Sequence, residues 1–467
     1  MTGDRRENSL PPRRIQSLRT WNNHLSARCE VYRPERLREL EAIVGCPQLR
    51  DVICRGLGRS YSDCHLNEAG GVILQERLDR MLSFDFSSGI LECEGGVALG
   101  DIIDCFLPRG FFPPVTPGTR FVTIGGAIAN DVHGKNHHRD GSLGAHILSL
   151  SLLTAGGETL QCSPTKNPDL FWATVGGLGL TGVITSARVR LQHVSTGYMK
   201  VDIDRAPNLD AALEQFSKTD ERYQYSMAWI DALAGGGSLG RSVLIRGNHA
   251  EIEDLPAAQR RAPLAVRRRR RPSLPFYLPS FALNAASVRA FNQSYYVSHP
   301  DRTGSIVPYD SFFYPLDAIG NWYRLYGRRG FVQFQAVFPP EVSRRALIEL
   351  LQEVSRSRRA SFLAVLKVMG PAGKGLLSFP MAGHTLALDM ANTGRDLAVF
   401  MCRLNELALA HGGRVYLAKD AFLTAEAAAS MYPRLQRFRK IKMRIDPQGR
   451  FASSMARRIG LVESREA

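Results

Sequence analysis

Polar and apolar positions alternate over GVITSARVRL, Gly182 to Leu191, with Val183, Thr185, Ala187, Val189 and Leu191 on one side and Ser186, Arg188 and Arg190 on the other. Strand side chains point alternately to two faces, so this run predicts a strand with one buried face. Ahead of it, Asn167-Pro168-Asp169 supplies a cap, a first-turn proline and an acid. These predict a short helix over LFWATV that Gly176-Gly177 stops. Residues 1 to about 197 read as short strands alternating with short helices, and from about 198 to 413 a second set of strands follows. It includes YSMAWIDA, SVLIRGN, FVQFQAVFP and SFLAVLKVMG, with the helical periods SRRALIELLQEV and RDLAVFMCRLNELALAHGG between them. In FVQFQAVF, Gln333 and Gln335 share a side opposite Phe334, so two amides should face a polar cavity together. Lys367 is a lone cation in FLAVLKVMG. Buried, it needs an anion or hydrogen bonds; an edge lysine that snorkels is the alternative.

Two loops carry chemistry. Val52 to Asp63, VICRGLGRSYSD, is a short β-type run ending in Gly56-Leu57-Gly58 and continuing with polar residues. A dinucleotide fold of the Rossmann type would open a helix there, whereas Arg59, Ser60, Tyr61 and Ser62 suit an anion-binding loop. The second, Pro117 to Gly144, places Gly125-Gly126 just before His133 and Lys135. Glycines let a rigid, charged ligand approach the main chain, where N–H groups can cradle phosphate oxygens. The histidine and lysine put proton-transfer and anion-stabilising groups beside that ligand.

Two separated glycine loops of this kind resemble the pyrophosphate-gripping loops of the vanillyl-alcohol-oxidase-type flavoproteins. Together with HGKNHH, Leu170 to Leu191, YLAKD (Tyr416 to Asp420) and MYPR…DP…F (Met431 to Phe451), the chain is similar to the decaprenylphosphoryl-ribose oxidase family, the flavin half of ribose-to-arabinose epimerases. The similarity runs from about Trp21 to Leu461. It implies an α+β, two-domain, PCMH-type FAD-binding fold with a cap built on an antiparallel sheet. The implied FAD-binding domain covers 1–197, the substrate domain 198–413 with a flexible basic flap at about 259–300, and 414–467 returns to the FAD-binding domain. Cofactor contacts carry over onto Arg55, Gly56, Leu57, Gly58, Arg59, Ser60, Tyr61, Gly118, Thr119, Thr123, Ile124, Gly125, Gly126, Asn130, Asp131, Val132, His133, Gly134, Ile184 and Tyr416. Substrate contacts carry over onto Tyr61, Lys135, Trp229, Gln333, Gln335, Lys367 and Lys419. His133 and Lys419 are the implied catalytic pair, although a surface lysine beside Asp420 is the plain reading of YLAKD.

The activity so implied is oxidation of the 2-hydroxyl of a polyprenyl-phosphate-linked pentose to the 2-keto sugar. A hydride passes from carbon to flavin N5 and the hydroxyl proton to His133 or Lys419. A short-chain-dehydrogenase-type reductase would complete the epimerisation. Two other readings remain: a soluble alditol or aldonolactone oxidase, and a basic membrane- or nucleic-acid-binding protein with a vestigial flavin fold. Departures from the family pattern fall at Ala387, where mycobacterial members carry a cysteine, and at Thr385, Phe313 and Asn130. They bear on sugar and lipid more than on flavin binding. Related proteins tether flavin through the histidine of a Gly-His-Ser triplet. Gly58-Arg59-Ser60 stands here, so FAD is expected to be non-covalent.

Composition refines this picture. A chain of 467 residues, 44% hydrophobic and 22% charged, can bury a large core. Eight scattered cysteines without a C-x-x-C pair predict reduced thiols. The net charge of +16 is partly local, in the arginine run Arg267 to Arg271 ahead of the aromatic PSLPFYLPSFAL. That pairing suits an anionic lipid surface, or a solvated loop; without interleaved aromatics it does not suit nucleic acid. No apolar run reaches the roughly 20 residues of a spanning helix, and no apolar h-region follows the N-terminal arginine pairs. A cytoplasmic protein, at most peripheral on the inner membrane face, is expected. His137, His138 and His146 lack accompanying acids or thiols, so no metal is expected, and His65 reads as a surface-loop residue.

Overall fold

The computed structural model describes residues 13–49, 51–266, 271–359 and 362–463. The alternating run becomes Val183–Arg190, the middle strand of a five-stranded antiparallel sheet. The strands lie in the order Met81–Asp85, Ile90–Glu94, Val183–Arg190, Ile147–Leu153, Thr159–Cys162. Val183, Thr185, Ala187 and Val189 are buried as their spacing requires. Ile184, on the other face, is buried too because it borders a cavity. The helix ahead spans Pro168–Thr174, but Asn167 does not cap it through its side chain. Its φ is 52°, and its Nδ2 instead donates to Gln161 O at 2.9 Å. Asparagine tolerates that left-handed backbone better than most residues.

A second sheet orders Arg14–Arg19, Ser26–Tyr32, Gly71–Leu74 and Val52–Arg55, the last three parallel. The far end of the chain docks on its edge. Val52 N donates to Arg450 O at 2.7 Å, and Ala452 N donates to Val52 O at 3.0 Å. Arg458 then joins two distant acids, Asp63 at 2.8 Å and Asp420 at 2.9 Å. These contacts tie the segments after Arg55 and before Phe422 to one anchor.

Residues from Tyr198 onward build an eight-stranded antiparallel sheet: Arg302–Pro308, Tyr198–Ala206, Ser242–His249, Tyr225–Ile230, Ala364–Met369, Gly383–Ala391, Phe331–Phe338, Arg414–Val415. The period-two pattern sorts its faces. Phe334, Ala336, Leu366, Leu386 and Leu388 join the core, where helices Pro340–Ser357 and Arg395–Ala410 bury Leu347, Leu350, Leu397 and Leu404. The opposite face turns toward the first two sheets. Arg414–Val415 pairs with Phe331–Phe338, so the last segment of the chain starts inside this sheet. Among the described residues no helix is long and apolar enough to cross a membrane. Residues 267–270 of the arginine run lie outside the described residues. All eight thiols are unpaired, and Cys402 alone of them is exposed.

Candidate active site

A cavity of about 860 Å³ is bounded by residues of the four-, five- and eight-stranded sheets. Strand Val52–Arg55 delivers the loop Gly56 to Ser60 to its wall. Among the described residues, none of the main-chain N–H groups of Gly56, Leu57, Gly58, Arg59 and Ser60 donates to a protein acceptor. Tyr61 N and Ser62 N hold the loop from behind, donating to Ala418 O at 3.0 and 3.3 Å. Arg55 Nη1 and Arg59 Nε beside it are buried without a partner. Consecutive unpaired N–H groups in a concave wall form a nest for an anion. Gly56 packs so closely on the second loop that a Cβ would lie 2.1 Å from Thr123 Oγ1. This cradle fits the diphosphate of FAD.

The Gly125-Gly126 pair works differently from the sequence expectation. Gly125 N donates to Gly95 O at 2.8 Å and Gly126 N to Thr123 Oγ1 at 3.2 Å. Neither N–H is free for a phosphate; the pair lets helix Ile124–Ala129 sit against Gly95. A Gly56→Ala substitution is therefore expected to wedge the two loops apart and cut FAD affinity at least tenfold, read as the ratio of flavin to protein absorbance after dialysis.

At the other end the eight-stranded sheet forms the floor. Gln335 pairs in register with Ala387, Ala387 with Val365, and Val365 with Trp229, and all four side chains line the cavity. Gln333 and Lys367 line it as well. The two glutamines do point together, and Lys367 faces inward. Gln335 Nε2 donates to His133 Nε2 and to Thr385 Oγ1, each at 3.2 Å. His133 Nδ1 and Gln335 Oε1 are buried without a protein partner. The imidazole packs on Tyr416 and Phe379, with ring centroids 5.2 and 5.4 Å away. Tyr416 OH donates to Asn130 O at 3.0 Å, joining two of the loops singled out by sequence.

Lys135, Lys367 and Lys419 also line the cavity and are half-buried; Lys367 and Lys419 act on His133, while Lys135 Nζ donates to Phe312 O and lies 4.3 Å from the Phe312 ring. Burial lowers Lys135 to about 7; burial and then the charges of Lys419 and Lys135 lower Lys367 to about 7. Lys419 is lowered by burial and partly restored by Asp389. Burial, reinforced by Lys367, His137 and Lys419, holds His133 well below the usual imidazole range, so it is neutral near pH 7. Asp420 does not pair with Lys419. It turns to Arg458 and accepts from Phe422 N and Leu423 N at 3.0 and 2.9 Å, fixing the turn that aims Lys419 inward.

Of the residues named from the sequence, Ile124 and Asp131 do not line the cavity. Ile124 is in the core, and Asp131 knots Ser142, Ser378 and Gly144 N together. Of the departures, Ala387, Phe313 and Asn130 line the cavity, whereas Thr385 lies behind Gln335. His65 is buried and lines the cavity rather than a surface loop, and burial holds it neutral. The other histidines take separate partners: His138 Nε2 meets Tyr223 O, His146 Nε2 meets Asp140 O, and His137 Nδ1 accepts from Gly370 N. Sequence reasoning missed Asp389, a buried acid that accepts from Gln333 Nε2 and is pushed up by burial. Its signal was the alternation Thr385, Ala387, Asp389 in GHTLALDM.

An anion nest leading to a neutral histidine ringed by lysines and amides defines an FAD-dependent oxidoreductase, and the FAD binding domain family model matches residues 30–163. A second family model, D-arabinono-1,4-lactone oxidase, matches residues 390–459. The chain is 39% identical over 415 residues to decaprenylphosphoryl-β-D-ribose oxidase of Mycolicibacterium smegmatis, covering 88% of this chain and 90% of that protein. It belongs to that family. An uncharacterized protein from the mprA 5′ region of Streptomyces coelicolor is 34% identical over 78% of this chain and 100% of its own length. Arabidopsis thaliana cytokinin dehydrogenase 2 is 31% identical over 142 residues, 30% of this chain and 28% of its own.

Proposed function

We propose that this protein oxidises the 2-hydroxyl of a polyprenyl-phosphate-linked pentose to the 2-keto sugar, the first half of an epimerisation that a short-chain-dehydrogenase-type reductase completes. The observation that carries this is the set of Lys135, Lys367 and Lys419 around His133 in one cavity. Lys135 donates to Phe312 O and Asp389 offsets Lys419, but Lys367 meets only burial and like charges, so an anion would compensate it where a neutral sugar would not. FAD, when bound, supplies the acceptor for the hydride. The residues that would hold it are the nest Gly56 to Ser60, Arg55, Arg59, Gly118 and Tyr416, with residues 1–197 and 414–467 as its domain and 198–413 as the substrate domain.

Gln333 and Gln335 orient the sugar hydroxyls from the floor. His133 is kept neutral, and it takes the hydroxyl proton at Nδ1 once its own proton sits on Nε2, which requires the Gln335 amide to turn its unpartnered Oε1 toward that nitrogen. Lys419 supplies positive potential where negative charge develops, and Asp389 helps keep it protonated. Arg59 cannot form the histidine-type bond to flavin, and its guanidinium stacks on Trp21 at 4.0 Å. Acid precipitation is expected to release all the yellow colour into the supernatant; colour kept by the pellet would contradict non-covalent binding. Arg271 and the exposed Phe276 and Phe281 support peripheral contact with an anionic membrane.

The match of residues 390–459 to D-arabinono-1,4-lactone oxidase favours, as second reading, an oxidase of soluble sugars. Anaerobic bleaching of the flavin separates the two. Polyprenyl-phosphoryl ribose is expected to bleach it and free pentoses or alditols are not; the reverse result would install the second reading.

A further inference from the structure

The cavity changes character across its floor. Along one strand and the residue leading into it, Lys367, Val365 and Leu363 line the cavity in turn, spanning about 13 Å at a strand rise of about 3.3 Å per residue. Beyond Trp229 the wall becomes helix Ala285–Ser298. Val288, Phe291 and Tyr295 follow the three- and four-residue spacing of one helical face and all line the cavity. Tyr295 packs on Trp229 with ring centroids 4.5 Å apart, and Phe291 on Phe362 at 5.3 Å. Asn284 caps the helix, and Asn292 Nδ2 anchors it by donating to Asp231 Oδ1 at 2.6 Å. This apolar wall continues to the surface: Phe291 is 44% exposed, and Phe281, just ahead in the chain, is 77% exposed.

One compartment thus has a cationic inner end and an apolar outer end that opens to the exterior. A ligand complementary to both is an amphiphile with an anionic head and an apolar tail. Exposed aromatics contiguous with such a wall are costly to leave in water, which is the usual mark of a surface that receives something apolar. We propose that the corridor between helix Ala285–Ser298 and the segment Phe362 to Val365 is the subsite for the first isoprene units of a polyprenyl phosphate, which enters past Phe281 and Phe291. This rests on the function proposed above, to which it adds where the lipid lies and which residues read it.

The test is calorimetric titration of the FAD-loaded protein with methyl, geranyl and farnesyl phosphate, at fixed pH and below micelle-forming concentrations. Farnesyl phosphate is expected to bind at least tenfold more tightly than methyl phosphate, with geranyl phosphate between them. In Phe291→Glu and Leu283→Glu, both at partly exposed positions lining the corridor, the ratio is expected to fall toward one. Equal affinities in the unmodified protein, or a ratio that survives both variants, would overturn the proposal. Should a variant lose its flavin, the chain-length series in the unmodified protein still decides. If prenyl length governs binding but polyprenyl-phosphoryl ribose fails to bleach the flavin, the reaction assignment falls and the corridor stands. Bleaching without any dependence on prenyl length removes the corridor and leaves the reaction assignment in place.

Discussion

Replacing Lys419 with alanine is expected to leave the protein yellow and to slow sugar-driven bleaching of the flavin by roughly 10²–10³-fold, the range lost with one preorganised charge or proton-transfer group. The flavin should stay because the anion nest is made of main-chain N–H groups of Gly56 to Ser60, which the substitution does not touch. The turn itself should also hold. Its backbone is fixed by Lys419 N and Asp420 N, which both donate to Tyr416 O at 3.0 Å, and by the Asp420 pair with Arg458. What disappears is the ammonium that lies 5.8 Å from the Tyr61 ring and 6.0 Å from the Tyr416 ring. Stopped-flow absorbance near 450 nm, roughly the usual flavin band, reads the effect. A rate equal to that of the unmodified protein would remove Lys419 from the mechanism.

Lys419 also marks where sequence reading reaches its limit. Beside Asp420 in YLAKD it reads as half of a surface ion pair, because a sequence displays neighbours and hides competitors. Arg458, 38 positions away, takes the aspartate and so frees the lysine. Features set by local period were legible: Gln333 and Gln335 share a face, Lys367 points inward, and Val183–Arg190 alternates as expected. That Gly56 to Ser60 would leave strand Val52–Arg55 as a loop was legible too, since its residue types and the strand before it are contiguous. The Gly125-Gly126 N–H groups were misread because their acceptors, Gly95 O and Thr123 Oγ1, become neighbours only after folding. Asp389 escaped for the same reason: its partner Gln333 lies on another strand, 56 positions away. The apolar wall of helix Ala285–Ser298 gave little signal, because its inward and outward faces both carry aromatics.

Affinity for a prenyl phosphodiester is expected to be level below about pH 6 and to fall as pH rises through 7, while binding of a neutral sugar stays flat. Lys135 and Lys367 each stand at about 7 in the free cavity, lowered by burial. Only their protonated forms attract the anion, and a phosphodiester keeps its single charge across this range. Above pH 7 each lysine that must regain a proton on binding weakens affinity by up to tenfold per pH unit, so two can impose up to a hundredfold. Lys367→Met is expected to raise the dissociation constant about 10–100-fold at pH 6, the loss of one charge-assisted contact. Lys367→Arg keeps a charge that does not titrate below about pH 12, so the descending limb should become shallower, leaving the slopes of Lys135 and, at higher pH, Lys419. Titrations of the phosphodiester between about pH 6 and 9 into the unmodified protein and both variants check these expectations. Parallel profiles for the phosphodiester and a neutral sugar would show that these lysines do not hold the phosphate.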